Sequence, residues 1–126
     1  MPEPLPAAGG ADPEDAKLVV LARAARLRAY VPRTGVAEGA AVRDAEGRTY
    51  AAATVEHADP ALATSALRAA VVAAVSSGAR RFEAAALVTA AETVDPRDLA
   101  VLAEFGAGIP VLLAATDGAV HGSART

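Results

Sequence analysis

Residues Thr54–Gly78, TVEHADPALATSALRAAVVAAVSSG, decide how the chain reads. Thr54-Val55 is the end of a strand, Asp59-Pro60 is a turn, and the following apolar run is a helix that Gly78 stops. At the head of that helix lies Thr64-Ser65-Ala66-Leu67-Arg68-Ala69-Ala70, where the first backbone N–H groups have no partner inside the helix. Such an end favours an anion or a thiolate, together with any metal it carries. Function therefore hangs on which side chains stand there. The run Leu67–Val75 is apolar nearly all round, which suits a helix buried on both sides, by its own core or by another subunit.

Upstream, Asp12-Pro13-Glu14-Asp15 supplies an N-cap, a proline for the first helical position and acidic residues at the positive dipole end. The spacing predicts a helix to about Tyr30 with Leu18, Leu21, Ala22, Ala25 and Ala29 on one apolar stripe and Arg23, Arg26 and Arg28 facing solvent. Residues 40–43 and 49–55 flank Asp44-Ala45-Glu46-Gly47 and predict a hairpin, Gly47 providing the positive φ. Downstream, Phe82–Val88 reads as a buried strand, Asp95-Pro96-Arg97-Asp98 as the start of a helix ended by Gly106, and Ile109–Ala115 as another strand. The order α-β-β-α-β-α-β implies an α/β fold with helices covering a mixed sheet. Residues 1–11 read as a disordered tail, 12–116 as one domain and 117–126 as a short, polar, Gly-containing tail.

The chain has 126 residues, enough for one domain with a core of its own. Hydrophobic residues make up 53%, chiefly Ala and Val, and aromatics 3%, which leaves little for stacking on bases. A net charge of −3 offers no general attraction to nucleic-acid backbones or anionic membranes. There is no cysteine, which excludes disulfides, thiolate metal sites and cysteine nucleophiles. The N-terminal stretch has no basic region followed by an apolar run, so a cytoplasmic location is the expectation.

From about Ala16 to about Thr116 the order and spacing of several motifs are similar to those of the small zinc-dependent cytidine deaminases. They are Ala29-Tyr30-Val31-Pro32, Glu38-Gly39-Ala40-Ala41, Thr54-Val55-Glu56-His57-Ala58, Ser65-Ala66-Leu67-Arg68, Val94-Asp95-Pro96-Arg97-Asp98 and Leu102-Ala103-Glu104-Phe105-Gly106. The resemblance implies a three-layer α/β/α arrangement in which two helix N-termini point at one zinc held by cysteine thiolates, while a glutamate moves protons between the zinc-bound water and the base. In this chain Ser65 stands at the first cysteine, Leu67 at the catalytic glutamate, and Asp95 and Asp98 at the other two cysteines. A serine hydroxyl stays protonated near neutrality and is a poor zinc ligand, and leucine carries no proton. No cofactor is therefore expected, the family's zinc included. Glu56 matches the glutamate that binds ribose hydroxyls in the family, but its asparagine companion is Thr54, the stacking phenylalanine falls at Val36, and a tyrosine falls at Arg33. Arg68 matches an arginine of the family, with ion pairing inside the protein and ligand contact both open to it.

The expectation is a degenerate, catalytically inactive relative that serves as an oligomeric scaffold, regulatory or partner-binding subunit. The alternative is a nucleoside-binding protein or deaminase-type hydrolase with an oxygen-ligand metal site, since Asp95, Asp98 and Ser65 could hold a hard cation. Asp95, Pro96 and Asp98 read equally as an N-cap, first turn and dipole partner, and two carboxylates there replace the negative charge of thiolates. The resemblance further implies a homo-oligomer, tetramer or dimer, with central helices packed together; an unidentified protein partner is open, and neither nucleic acid nor membrane is expected. Leu67 is expected to intrude on the base pocket, His57 and His121 to be surface residues, and Gly35 and Gly39 to be turn glycines.

Overall fold

Asp12 opens the first helix as its sequence requires: its side-chain oxygen accepts the Glu14 N–H at 2.8 Å, and Pro13 begins α1 (Pro13–Arg26). The computed structural model describes residues 12–126, and the expected tail, residues 1–11, lies outside them. α1 stops before Tyr30, because the chain is drawn away to the strand end at Thr54–Glu56. Tyr30 N donates to Thr54 O at 2.9 Å and Glu56 N donates to Tyr30 O at 2.8 Å. The buried stripe is Leu18, Val19, Ala22 and Ala25; Val19 takes the place expected of Leu21, which is exposed.

Gly39 is buried inside a strand, not in a turn. A β-carbon there would lie 2.0 Å from Ala22 O and 2.4 Å from Arg26 N, so the absence of a side chain is what lets α1 lie directly on β1 (Gly39–Asp44). β1 pairs antiparallel with β2 (Thr49–Ala53) through the turn at Gly47, whose φ is 85°, and on its other edge with β3 (Phe82–Val88). Between β2 and β3 the chain makes a short turn at Pro60–Leu62, capped by Asp59, and then α2 (Ala66–Ser76), which Gly78 leaves at φ 110°. α3 (Pro96–Ala103) leads to β4 (Pro110–Ala114), which lies parallel to β3 as a strand following a helical crossover does.

The polar tail expected at 117–126 is instead a strand, β5 (Val120–Arg125), antiparallel to β4. It is an edge strand of alternating half-buried and exposed residues, held by the backbone partners β4 offers more than by apolar side chains. The sheet order is β2-β1-β3-β4-β5. Strand periodicity divides the core in two. On one face Val42, Leu87, Val111 and Leu113 pack with Leu67, Val71 and Ala74 of α2 and Leu102 of α3; on the other Ala41, Ala86, Val88 and Ala114 pack with Leu18, Val19 and Ala22 of α1. This is the expected α/β/α arrangement around a mixed sheet.

Candidate functional site at two helix N-termini

Strand-like bridges bring the site together. Val55 exchanges backbone hydrogen bonds with Thr64, and its neighbour Glu56 is tied to Tyr30, so residues 30–34, 54–56 and 64–65 converge at the head of α2. The first turn of α3 faces the same point. Together they wall a cleft of about 390 Å³ lined by Thr34, Val36, Thr54, Glu56, Ser65, Arg68, Asp95 and Arg97, among others.

Ser65 is the N-cap of α2, its hydroxyl oxygen accepting the Arg68 N–H at 3.2 Å. The same oxygen accepts from Arg68 Nε at 3.0 Å, and its O–H donates to Asp98 Oδ1 at 2.8 Å. Arg68 Nε also lies 3.2 Å from Asp98 Oδ1, an ion pair whose carboxylate is only 3% exposed. The donor and both acceptor positions of the serine are thus in use, which leaves no lone pair for a metal or for nucleophilic attack. Asp95 does not join this cluster. It caps α3 through the Arg97 N–H at 2.8 Å and meets the Arg97 guanidinium at 3.1 Å, which holds its carboxyl below the usual carboxylate range.

Leu67 does not intrude on the cleft. It is fully buried with Ala70, Val71 and Ala74 against the sheet, because an apolar side chain at this point of α2 gains more from the core than from a polar wall. Val36 stands at the mouth, 59% exposed. Thr54 faces Glu38, accepting its backbone N–H at 3.0 Å. Glu56 accepts the Arg33 N–H at 2.8 Å together with the Thr34 backbone N–H and hydroxyl, and these bonds, the Thr34 hydroxyl first, hold its carboxyl below the ordinary value. Arg33 therefore contributes its backbone, and Thr34 is a residue the sequence reading missed; a hydroxyl one turn of loop beyond Pro32 was its only signal. His57 and His121 are exposed, as expected. Among the described residues, no group of three or more His, Asp or Glu side chains converges as a metal site would require. Nor does the triad of Ser65, Asp95 and Asp98 fit a hard cation, since two of them are closed on Arg68 and the third on Arg97.

The fold and this convergence of helix ends define a class, and sequence comparison agrees with it. The sequence model of the Cytidine deaminase-like family matches residues 11–118, and the chain belongs to that family. Among solved structures it is similar to a cytidine deaminase from Burkholderia pseudomallei, at 29% identity and a TM-score of 0.79 over 86% of this chain and 90% of the other. It is also similar to one from Mycobacterium tuberculosis, at 32% identity and a TM-score of 0.70 over 77% and 80%. A cytidine deaminase from Mycobacterium leprae shares the fold, with a TM-score of 0.73 at 24% identity. No curated protein matches by sequence. No described helix is long and apolar enough to cross a membrane.

Proposed function

We propose that this chain is a catalytically inactive member of the family that acts as an oligomeric scaffold, regulatory or partner-binding subunit. The observation that carries the reading is the closed set of bonds among Ser65, Arg68 and Asp98 at the head of α2, beside a Leu67 turned into the core. Deamination of a cytosine ring by hydrolysis needs an activated water and a group that passes its proton to the leaving amine. By the motif resemblance, Ser65 and Asp98 stand at two of the metal-ligand positions and Leu67 at that of the proton carrier. General acid–base assistance alone is commonly worth about 10²–10⁴-fold in rate. A high-concentration ultraviolet assay with cytidine and deoxycytidine, with zinc added, is expected to give no turnover above a heat-killed control. Turnover that chelation abolishes would overturn the reading.

Nucleoside binding is the second reading, favoured by the open cleft with Glu56 in its wall. Glu56 is committed to residues 33–34, and Val36 offers no ring for a base to stack on. A ligand at a hundred times its Kd stabilises by about 2.7 kcal/mol, so a clear thermal shift with cytidine or uridine would restore this reading.

The oligomer is supported by a groove of about 500 Å³ between α2 and α3, lined by Val71, Val72, Val75, Val101 and Phe105, of which Val72 is 58% exposed. An exposed apolar face of this kind suits a second copy docked about a two-fold axis, where the same patch serves both partners.

A further inference from the structure

We infer that Arg68 is the resident cation of this site: its guanidinium, joined to Ser65 and Asp98, clamps the head of α2 to the first turn of α3 and takes the structural place that a bound metal would have. Three observations lead there. Asp98 is an ionisable side chain with 3% exposure, and a buried carboxylate needs a positive partner or a full set of donors. Its Oδ1 takes both in one place, the Ser65 hydroxyl at 2.8 Å and Arg68 Nε at 3.2 Å. The partners come from different helices, Ser65 and Arg68 from the start of α2 and Asp98 from the start of α3, so the cluster is a link between elements. Two positive helix ends converge here, and the carboxylate between them offsets both.

The same geometry sets Arg68 against any divalent ion. Ser65 Oγ and Asp98 Oδ1 are the oxygens such an ion would take, and Arg68 Nε already lies 3.0 and 3.2 Å from them. A metal would have to displace the guanidinium and face its charge at close range. Arginine suits the task because its planar guanidinium presents N–H donors in a fixed fork.

This inference rests on the reading of the site as metal-free, and the two can fail separately. The test compares the melting temperatures of wild type, Asp98→Asn, Arg68→Met and the double variant, with calorimetric titration of wild type with zinc chloride and magnesium chloride. Arg68→Met is expected to lower Tm by roughly 10 °C, since it strands a buried carboxylate. Asp98→Asn is expected to lower Tm when Arg68 is present and to raise it in the Arg68→Met background, because only there does it remove an uncompensated charge. Wild type is expected to take up neither ion and to keep its Tm in excess EDTA. Equal losses from Asp98→Asn in both backgrounds, or one equivalent of zinc bound by wild type, would overturn the clamp. Should Arg68→Met fail to fold, the metal titration and the Asp98→Asn loss still decide, an unchanged Tm in Asp98→Asn being against it. Metal uptake without deamination would sink the clamp and leave the inactive reading standing; deamination without a change in these couplings would do the reverse.

Discussion

At Gly39 a single methyl group is too much. Its β-carbon would sit inside the backbone of α1, 2.0 Å from Ala22 O, and neither a helix backbone nor a central strand can give way cheaply. Gly39→Ala is therefore expected to cost about 3 kcal/mol, the upper end for overpacking, measured by urea denaturation; a loss below about 1 kcal/mol would mean that α1 shifts freely. Glu56 gives a different signature. Its folded pKa lies below the ordinary 4.5 because the Thr34 hydroxyl and the Arg33 N–H stabilise the carboxylate. Its contribution to stability is then fully present above pH 4.5 and is lost as pH falls through the lower folded value. The difference in Tm between wild type and Glu56→Gln should accordingly be larger at neutral pH than well below that value, and a difference independent of pH would refute the assignment. At this scale the sequence was legible where a residue acts locally, as in the caps at Asp12 and Asp95. It was opaque where a residue's partner lies far along the chain. Leu67 reads as a cleft residue from the motif resemblance, and only its packing with Val42, Leu87 and Val111 of the core shows it buried.

Among the elements, those with their signals inside themselves were readable. Phe82–Val88, an apolar run interrupted only by the exposed Glu83, is β3 residue for residue, and Gly47 marks the hairpin turn. β5 was not readable, because Val120-His121-Gly122-Ser123-Ala124-Arg125 has almost no apolar alternation. Its structure comes from β4 and from the closing bonds Thr126 N to Ile109 O at 3.1 Å and Gly108 N to Thr126 O at 3.0 Å. Removing residues 118–126 should therefore expose the edge of β4 beside the buried Val111 and Leu113. The truncated chain is expected to aggregate on size exclusion and to bind a hydrophobic dye. A monodisperse truncated chain with unchanged Tm would show β5 to be dispensable.

For the whole molecule, the α2–α3 groove separates a self-contained domain from a subunit. Val72→Asp changes a side chain 58% exposed in the single chain, so the fold should lose no more than about 0.5 kcal/mol. In an assembly docked through this groove the same aspartate would be buried in an apolar contact. Light scattering should give a multiple of 12.5 kDa for wild type and 12.5 kDa for the variant. A wild-type monomer at micromolar concentration would make the groove an ordinary surface.

The antiparallel pairing of β1 with β3 also governs the order in which the chain can fold. Asp44 meets Phe82 and Gly39 meets Val88, so the middle of the sheet can close only when the chain as far as Val88 is present and residues 45–81 are held as a loop. Closing such a loop costs entropy before any contact returns it, and the folding rate suffers accordingly. During synthesis the residues of α1, β1 and β2 leave the ribosome first, and the edge of β1 that pairs with β3 has no partner until Phe82–Val88 follows. A chain halted before Phe82 is thus no half-domain but an unpaired strand edge, the form most in need of a chaperone.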